Sequence, residues 1–80
     1  MRRVFDQTGD FEAYNAACSW LKEQGYSVGR MQREEPIGVK KGDWDIAKWR
    51  NLSQVDIAGL DGTITGDSKR TGPITVELKD

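Results

Sequence analysis

Few residues in this 80-residue chain have the type and spacing to do chemistry: Cys18, the adjacent Glu34 and Glu35, Asp43 with Asp45, and Asp61 within Leu60-Asp61-Gly62-Thr63-Ile64-Thr65. An aspartyl nucleophile loop for phosphoryl transfer needs a second Asp two residues from the first, and those places hold Gly59 and Thr63. The stretch also fails as a calcium loop. Thr63 and Thr65 stand where carboxylate or amide oxygens are wanted, and Gly72 stands where the bidentate Glu belongs. Glu34 and Glu35 precede Pro36 in a polar turn where solvent accommodates both charges, and Asp43 and Asp45 have the positions of helix caps. The chain has no His, so Cys18 lacks an activating base, and imidazole-dependent triads and metal sites are excluded. None of the nine glycines forms the G-x-x-x-x-G-K or G-x-G-x-x-G pattern that cradles phosphate. The chain therefore reads as non-enzymatic, without cofactor or metal.

What remains is recognition chemistry. Trp44, Trp49 and Arg50 lie together in the segment from Lys41 to Arg50, and Trp and Arg are the residue types that dominate interface hot spots. Trp44, Lys48 and Arg50, joined by Lys69 and Arg70 at the tip of a later loop, are the candidate contacts for a protein partner. The alternative is a nucleic-acid-binding domain that uses basic hairpin tips and an open sheet face, with Arg30, Arg33, Lys40 and Lys41 meeting phosphates. Base stacking would need surface aromatics, for which Phe5 and Trp44 are the available choices. Twelve basic and 13 acidic residues leave a net charge of −1, so no whole-molecule field attracts a polyanion or imitates one.

These residues have to be positioned by short elements. Arg2 to Phe5 reads as a strand, with one of Val4 and Phe5 facing inward. Thr8 or Asp10 can cap a helix from about Phe11 to Gln24, in which Phe11, Tyr14, Cys18 and Leu21 recur at helical spacing and Ala13, Ala16 and Ala17 allow a sheet to approach. Trp20 falls at the edge of that stripe. Gly25 supplies a left-handed C-cap. Tyr26 to Met31 and Ile37 to Val39 predict a hairpin with Tyr26, Val28, Ile37 and Val39 inward. Its other face, Ser27, Gly29, Met31, Gly38 and Lys40, is flat enough to meet solvent, another backbone or a second copy of the chain.

The tryptophan segment admits two caps. With Asp45 as N-cap, Trp44 and Trp49 form a hydrophobic staple across the helix entrance. With Asp43 as N-cap, Trp44 becomes a surface aromatic beside Lys48. Ile46 and Trp49 are expected in the core either way. Ser53 and Asp56 resemble a capping box that opens a second short helix from about Gln54 to Leu60, with Leu52, Val55, Ile57 and Leu60 available for burial. That helix carries no Lys or Arg, which argues against a helix-turn-helix DNA reader. Thr63 to Thr65 and Ile74 to Leu78 alternate as strands around the polar segment Gly66 to Pro73, which is expected to project as a mobile loop.

The order is strand, helix, two strands, two short helices, two strands. It predicts a single α+β domain with one antiparallel or mixed sheet of four to five strands, helices gathered on one face, and a ferredoxin-like arrangement as one option. A chain this short buries one core. A lone Cys excludes an internal disulfide and fits a reducing compartment. No apolar stretch approaches the ~18 residues of a membrane span. Gln7, Thr8, Gly9 and Asp10 follow the stretch from Met1 to Asp6 where a signal sequence would turn apolar, so a cytoplasmic location is expected.

The block from Gly42 to Ser53, continued by Leu60 to Asp67 and Gly72 to Val76, resembles small accessory proteins encoded by bacteriophages and prophages. The resemblance covers the second half of the chain. It implies a compact accessory protein that acts by protein–protein binding, with inhibition of a host factor such as a defence system as the expected role.

Overall fold

The computed structural model describes residues 1–29, 37–53, 55–56 and 59–79. Among these, β1 (Arg2–Phe5), β2 (Tyr26–Val28), β3 (Ile37–Lys41), β4 (Gly62–Gly66) and β5 (Ile74–Leu78) form one sheet. Helix α1 (Glu12–Glu23) lies between β1 and β2 in the chain, and α2 (Ile46–Arg50) between β3 and β4. The strand order is β1-β5-β4-β3-β2 with every pairing antiparallel. The α+β class is as expected, but the ferredoxin-like interleaving is absent. β1 pairs with the last strand, which leaves β1 and β2 as the two edges.

Helix length fits that arrangement. The 12 residues of α1 rise about 18 Å, close to the roughly 19 Å of the four interstrand spacings between the edges. A helix of this length therefore carries the chain across the sheet. Ala13, Ala17 and Leu21 are its buried stripe, packed on Phe5, Ile37, Val39, Ile64, Ile74, Val76 and Leu78. Register places Ile37, Ile64 and Val76 in one row across three strands. The stripe is rotated from the one expected: Tyr14 and Cys18 are half-buried and Phe11 is exposed. Small alanines let the backbone approach the sheet, so bulk comes from the strands and the larger helical residues flank the contact. Trp20 is half-buried at that flank, as its position in the sequence predicts.

The start of α1 departs from expectation. Neither Thr8 nor Asp10 is the N-cap. Phe11 is, with φ at 58° and no side-chain bond. Its N–H donates to the Arg70 carbonyl at 2.7 Å, and the Asp10 carboxylate accepts from the Arg70 guanidinium at 3.2 Å. Lys69 Nζ lies 6.0 Å from the centre of the Tyr14 ring. The loop between β4 and β5 is thus folded onto the helix entrance instead of projecting. The C-terminus of α1 follows the sequence reading, with Gly25 left-handed at φ 88°.

The other face of the sheet carries the second packing contact. A Cβ on Gly29 would run into the Trp49 ring, and one on Gly38 into the Leu60 methyl Cδ1, with Trp49 Cζ3 at 3.1 Å. Trp49 and Leu60 are buried there, with Trp44 and Leu52 packed against them. Two expectations change as a result. The helices lie on opposite faces of the sheet, and the flat glycine face is occupied by the chain itself, so it is closed to a second copy. Arg2, Val4, Thr63, Thr65, Thr75 and Glu77 occupy the remainder of this face, with Arg2 and Glu77 paired at 3.9 Å.

Ser53 and Asp56 form the predicted box. The Asp56 carboxylate accepts from the Ser53 N–H at 3.1 Å and hydroxyl at 2.8 Å, and Ser53 Oγ accepts from the Asp56 N–H at 3.3 Å. Those bonds, the backbone one first, hold the Asp56 carboxyl below its ordinary value. Val55, read from the sequence as available for burial, is 83% exposed. Of the described residues in the expected second helix, Val55 and Asp56 are helical and Gly59 and Leu60 are not. Gln54, Ile57 and Ala58 lie outside the described residues, as does the turn of the first hairpin with Arg30 and Arg33.

Gly29→Ala is expected to lower stability by about 1–3 kcal/mol because the Trp49 ring cannot bend away. Gly38→Ala should cost less, since its nearest obstacle is the end of a leucine side chain. Urea denaturation of the two variants checks the order. In a pH series the Asp56 bonds contribute fully above the unfolded carboxyl value of about 3.9 and are lost as pH falls through the lower folded value. The stability difference between the wild type and Asp56→Asn should therefore shrink with acidification across that window.

Candidate functional site

The residues that sequence singled out for binding separate into two places. Around Trp44 the local structure follows from Asp45, whose Oδ1 accepts from the N–H groups of Ala47 at 2.7 Å and Lys48 at 3.1 Å. Asp45 is thus the N-cap, and the staple forms: the Trp44 and Trp49 rings meet edge to face, 4.9 Å apart at 84°. Trp49 fills the core side of the pair. Trp44 stays half-buried, so the staple and the surface aromatic coexist in one residue.

Ser27 fixes the approach to this pair. Its hydroxyl accepts from the Trp44 N–H at 2.9 Å and donates to the Gly42 carbonyl. A serine in an alternating strand gives no sequence signal of that role, because its partners are 15 and 17 residues away. Lys40 and Lys48 each bring an ammonium to 5.9 Å from the Trp44 ring centre. Lys40 also faces the Asp61 carboxylate at 3.9 Å. The Asp61 carboxylate, the former nucleophile candidate, accepts the Lys41 N–H at 2.7 Å and so extends the β3–β4 ladder past its end.

A cleft of about 530 Å³ opens beside Trp44. Lys22 and Gly25 at the end of α1 form one side, Tyr26, Ser27 and Val28 of β2 the middle, and Asp43, Trp44, Ile46 and Trp49 the other side. Ile46, expected in the core, is 68% exposed. It occupies the first position of a five-residue helix and overhangs the cleft while Trp49, three residues on, takes the glycine surface. No protein-family model matches this chain, and no characterised protein or solved structure matches it. The cleft is therefore read from its own chemistry: aromatic and aliphatic walls, ammonium groups on the rim, and a strand edge.

The other predicted contacts do not join it. Lys69 and Arg70 sit at the N-terminal end of α1, against Tyr14, Asp10 and Phe11, whereas the cleft is at the C-terminal end. Arg50 is exposed in the last turn of α2. Lys40 and Lys41 alternate along β3 and point to opposite faces. Phe5 is buried and cannot stack a base, and the described part of the open sheet face presents threonines where stacking would need rings. Arg3 was missed by sequence reasoning: its guanidinium lies 4.9 Å from the Phe5 ring centre and 4.8 Å from that of Trp20. Among the described residues no group of three His, Cys, Asp or Glu side chains is placed to hold a metal. No described helix is long and apolar enough to cross a membrane.

Asp45→Ala frees two α2 donors and is expected to cost about 1 kcal/mol, and Ser27→Ala, which strands the Trp44 N–H, should cost about 1–3 kcal/mol. Near-UV circular dichroism should report the loosened tryptophan pair in both variants.

Proposed function

We propose that this protein is a non-enzymatic binding module that contacts a protein partner through the cleft at Trp44. The observation that carries the reading is the exposed apolar lip of that cleft. Trp44 is held in place by Ser27, Trp49 and the Asp45 cap yet remains half-open, and Ile46 is exposed beside it. A rigid aromatic beside an exposed aliphatic loses little entropy when covered and offers the kind of contact that dominates interfaces. Structural roles also account for residues of catalytic type, which supports a non-enzymatic reading: Asp45 caps, Asp56 closes a box, Asp61 extends a ladder, and Cys18 packs against the core.

The binding residues are Trp44, Ile46 and Lys48, with Lys22 at the rim. The resemblance of the second half of the chain to phage- and prophage-encoded accessory proteins supports a partner that is a host factor, such as a defence component, held inactive in the cytoplasm. Lys69 and Arg70 fall outside this surface.

Affinity capture from an extract of the source cell tests the proposal with wild type, Trp44→Ala and Arg70→Ala. One protein should be retained by wild type and Arg70→Ala and lost with Trp44→Ala, with a deficit of about 2 kcal/mol, or roughly thirtyfold in affinity. Equal recovery with all three chains sinks the assignment.

A further inference from the structure

The free edge of β2 specifies what the cleft takes. In the β2–β3 ladder the Gly29 N–H donates to the Gly38 carbonyl and the Gly42 N–H donates to the Gly25 carbonyl. Antiparallel pairs alternate between bonded and non-bonded, so Gly25, Ser27 and Gly29 direct their backbone groups toward β3. Tyr26 and Val28 direct theirs outward, and no described residue takes them up. Two donors and two acceptors, alternating along a strand, match one chemistry: another extended backbone.

The walls of the cleft add side-chain preferences. A chain lying about 4.8 Å outside β2 runs between the end of α1 and the start of α2. Its side chains on one face meet Ile46 and Trp44, and those on the other meet Tyr26 and Lys22. Charge sets no preference there: Lys22 and Lys48 stand against Asp43 and Asp45, whose hydrogen bonds to α2 N–H groups leave its charge in place. A second copy carries the same walls beside its own β2, so the two recessed edges are kept from hydrogen-bonding distance.

We propose that the outer edge of β2 accepts a sixth strand, an extended segment of another protein that lays an apolar side chain against Trp44 and Ile46. The proposal rests on the binding reading above and names the partner's conformation.

A displayed library of random decapeptides, selected on the full chain, supplies the probe. Selected peptides should lose at least about tenfold in affinity with Ile46→Asp, a surface change expected to leave the melting curve intact. On binding, amide exchange should slow by at least about tenfold at Tyr26 and Val28 and stay unchanged at Ser27 and Gly29. N-methylation at every second peptide residue should abolish binding in one phase and be tolerated in the other. Peptides that need Ile46 yet leave Tyr26 and Val28 exchange unchanged would overturn strand addition while the binding module stands. Selection of no Ile46-dependent peptide also overturns it. Protection of Tyr26 and Val28 that rises with the concentration of the protein alone assigns the edge to self-pairing, and the proposal fails.

Discussion

The absence of two Cβ atoms governs this structure. Gly29 just after β2 and Gly38 on β3 leave a patch of bare backbone, and the Trp49 ring, with Leu60 beside it over Gly38, occupies it too closely for any side chain to intervene. That contact fixes where α2 lies. A five-residue helix has no stability of its own in water, so α2 persists through its tryptophan anchor, the Asp45 cap and the Trp44 staple. Trp44 is in turn held over β2 by Ser27, the residue between the two outward-facing backbone positions of that strand. Cap, staple and cleft all follow from one ring on two glycines.

The two faces of the sheet distribute bulk in opposite ways. On the α1 side the helix contributes Ala13 and Ala17, and the strands contribute isoleucine, valine and leucine. On the α2 side the strands are stripped to glycine, and the covering segment contributes Trp49 and Leu60. Each interface meets close packing by pairing large with small. Such an arrangement suits a short chain, because a helix on alanine contacts and a tryptophan on glycine contacts both bring backbones near and leave little internal volume to fill.

Periodic features were legible in the sequence, and features set by distant contacts were not. Strands β1 and β5, the span of α1, the Gly25 cap, the Ser53–Asp56 box and the Asp45–Trp44–Trp49 staple rest on residues within a few positions of one another, so local physics specifies them. The N-cap of α1 was misplaced because its donor is satisfied by Arg70, 59 residues on from Phe11. The flat glycine face was recognised as a surface for close approach, but its occupant was not. Nothing local distinguishes a tryptophan that covers glycine from a solvent layer or a second copy. Ile46 was assigned to the core by its spacing from Trp49, which holds for a helix lying along a sheet and fails for one whose first turn overhangs the edge. Of the proposed contacts, Trp44 and Lys48 stay together. Arg50, Lys69 and Arg70 do not join them, because proximity in space depends on which end of α1 each loop returns to.

The two edges of the sheet are protected differently, and the difference bears on selectivity. At β1, Arg2 and Arg3 place charge on the edge strand, and the Arg3 guanidinium spreads over Phe5 and Trp20, closing the seam between strand and helix. Charge of this kind opposes edge-to-edge pairing with another sheet. At β2, Ser27 is flanked by Tyr26 and Val28, and its hydroxyl serves the tryptophan segment. Protection there comes from recess. The end of α1 on one face and the start of α2 on the other border the edge, so a second sheet with its own covering layers meets these walls before its outer strand reaches hydrogen-bonding distance. A single extended chain meets no such obstacle among the described residues. Steric recess thus excludes bulk aggregation partners while the backbone groups of Tyr26 and Val28 remain within reach of one strand.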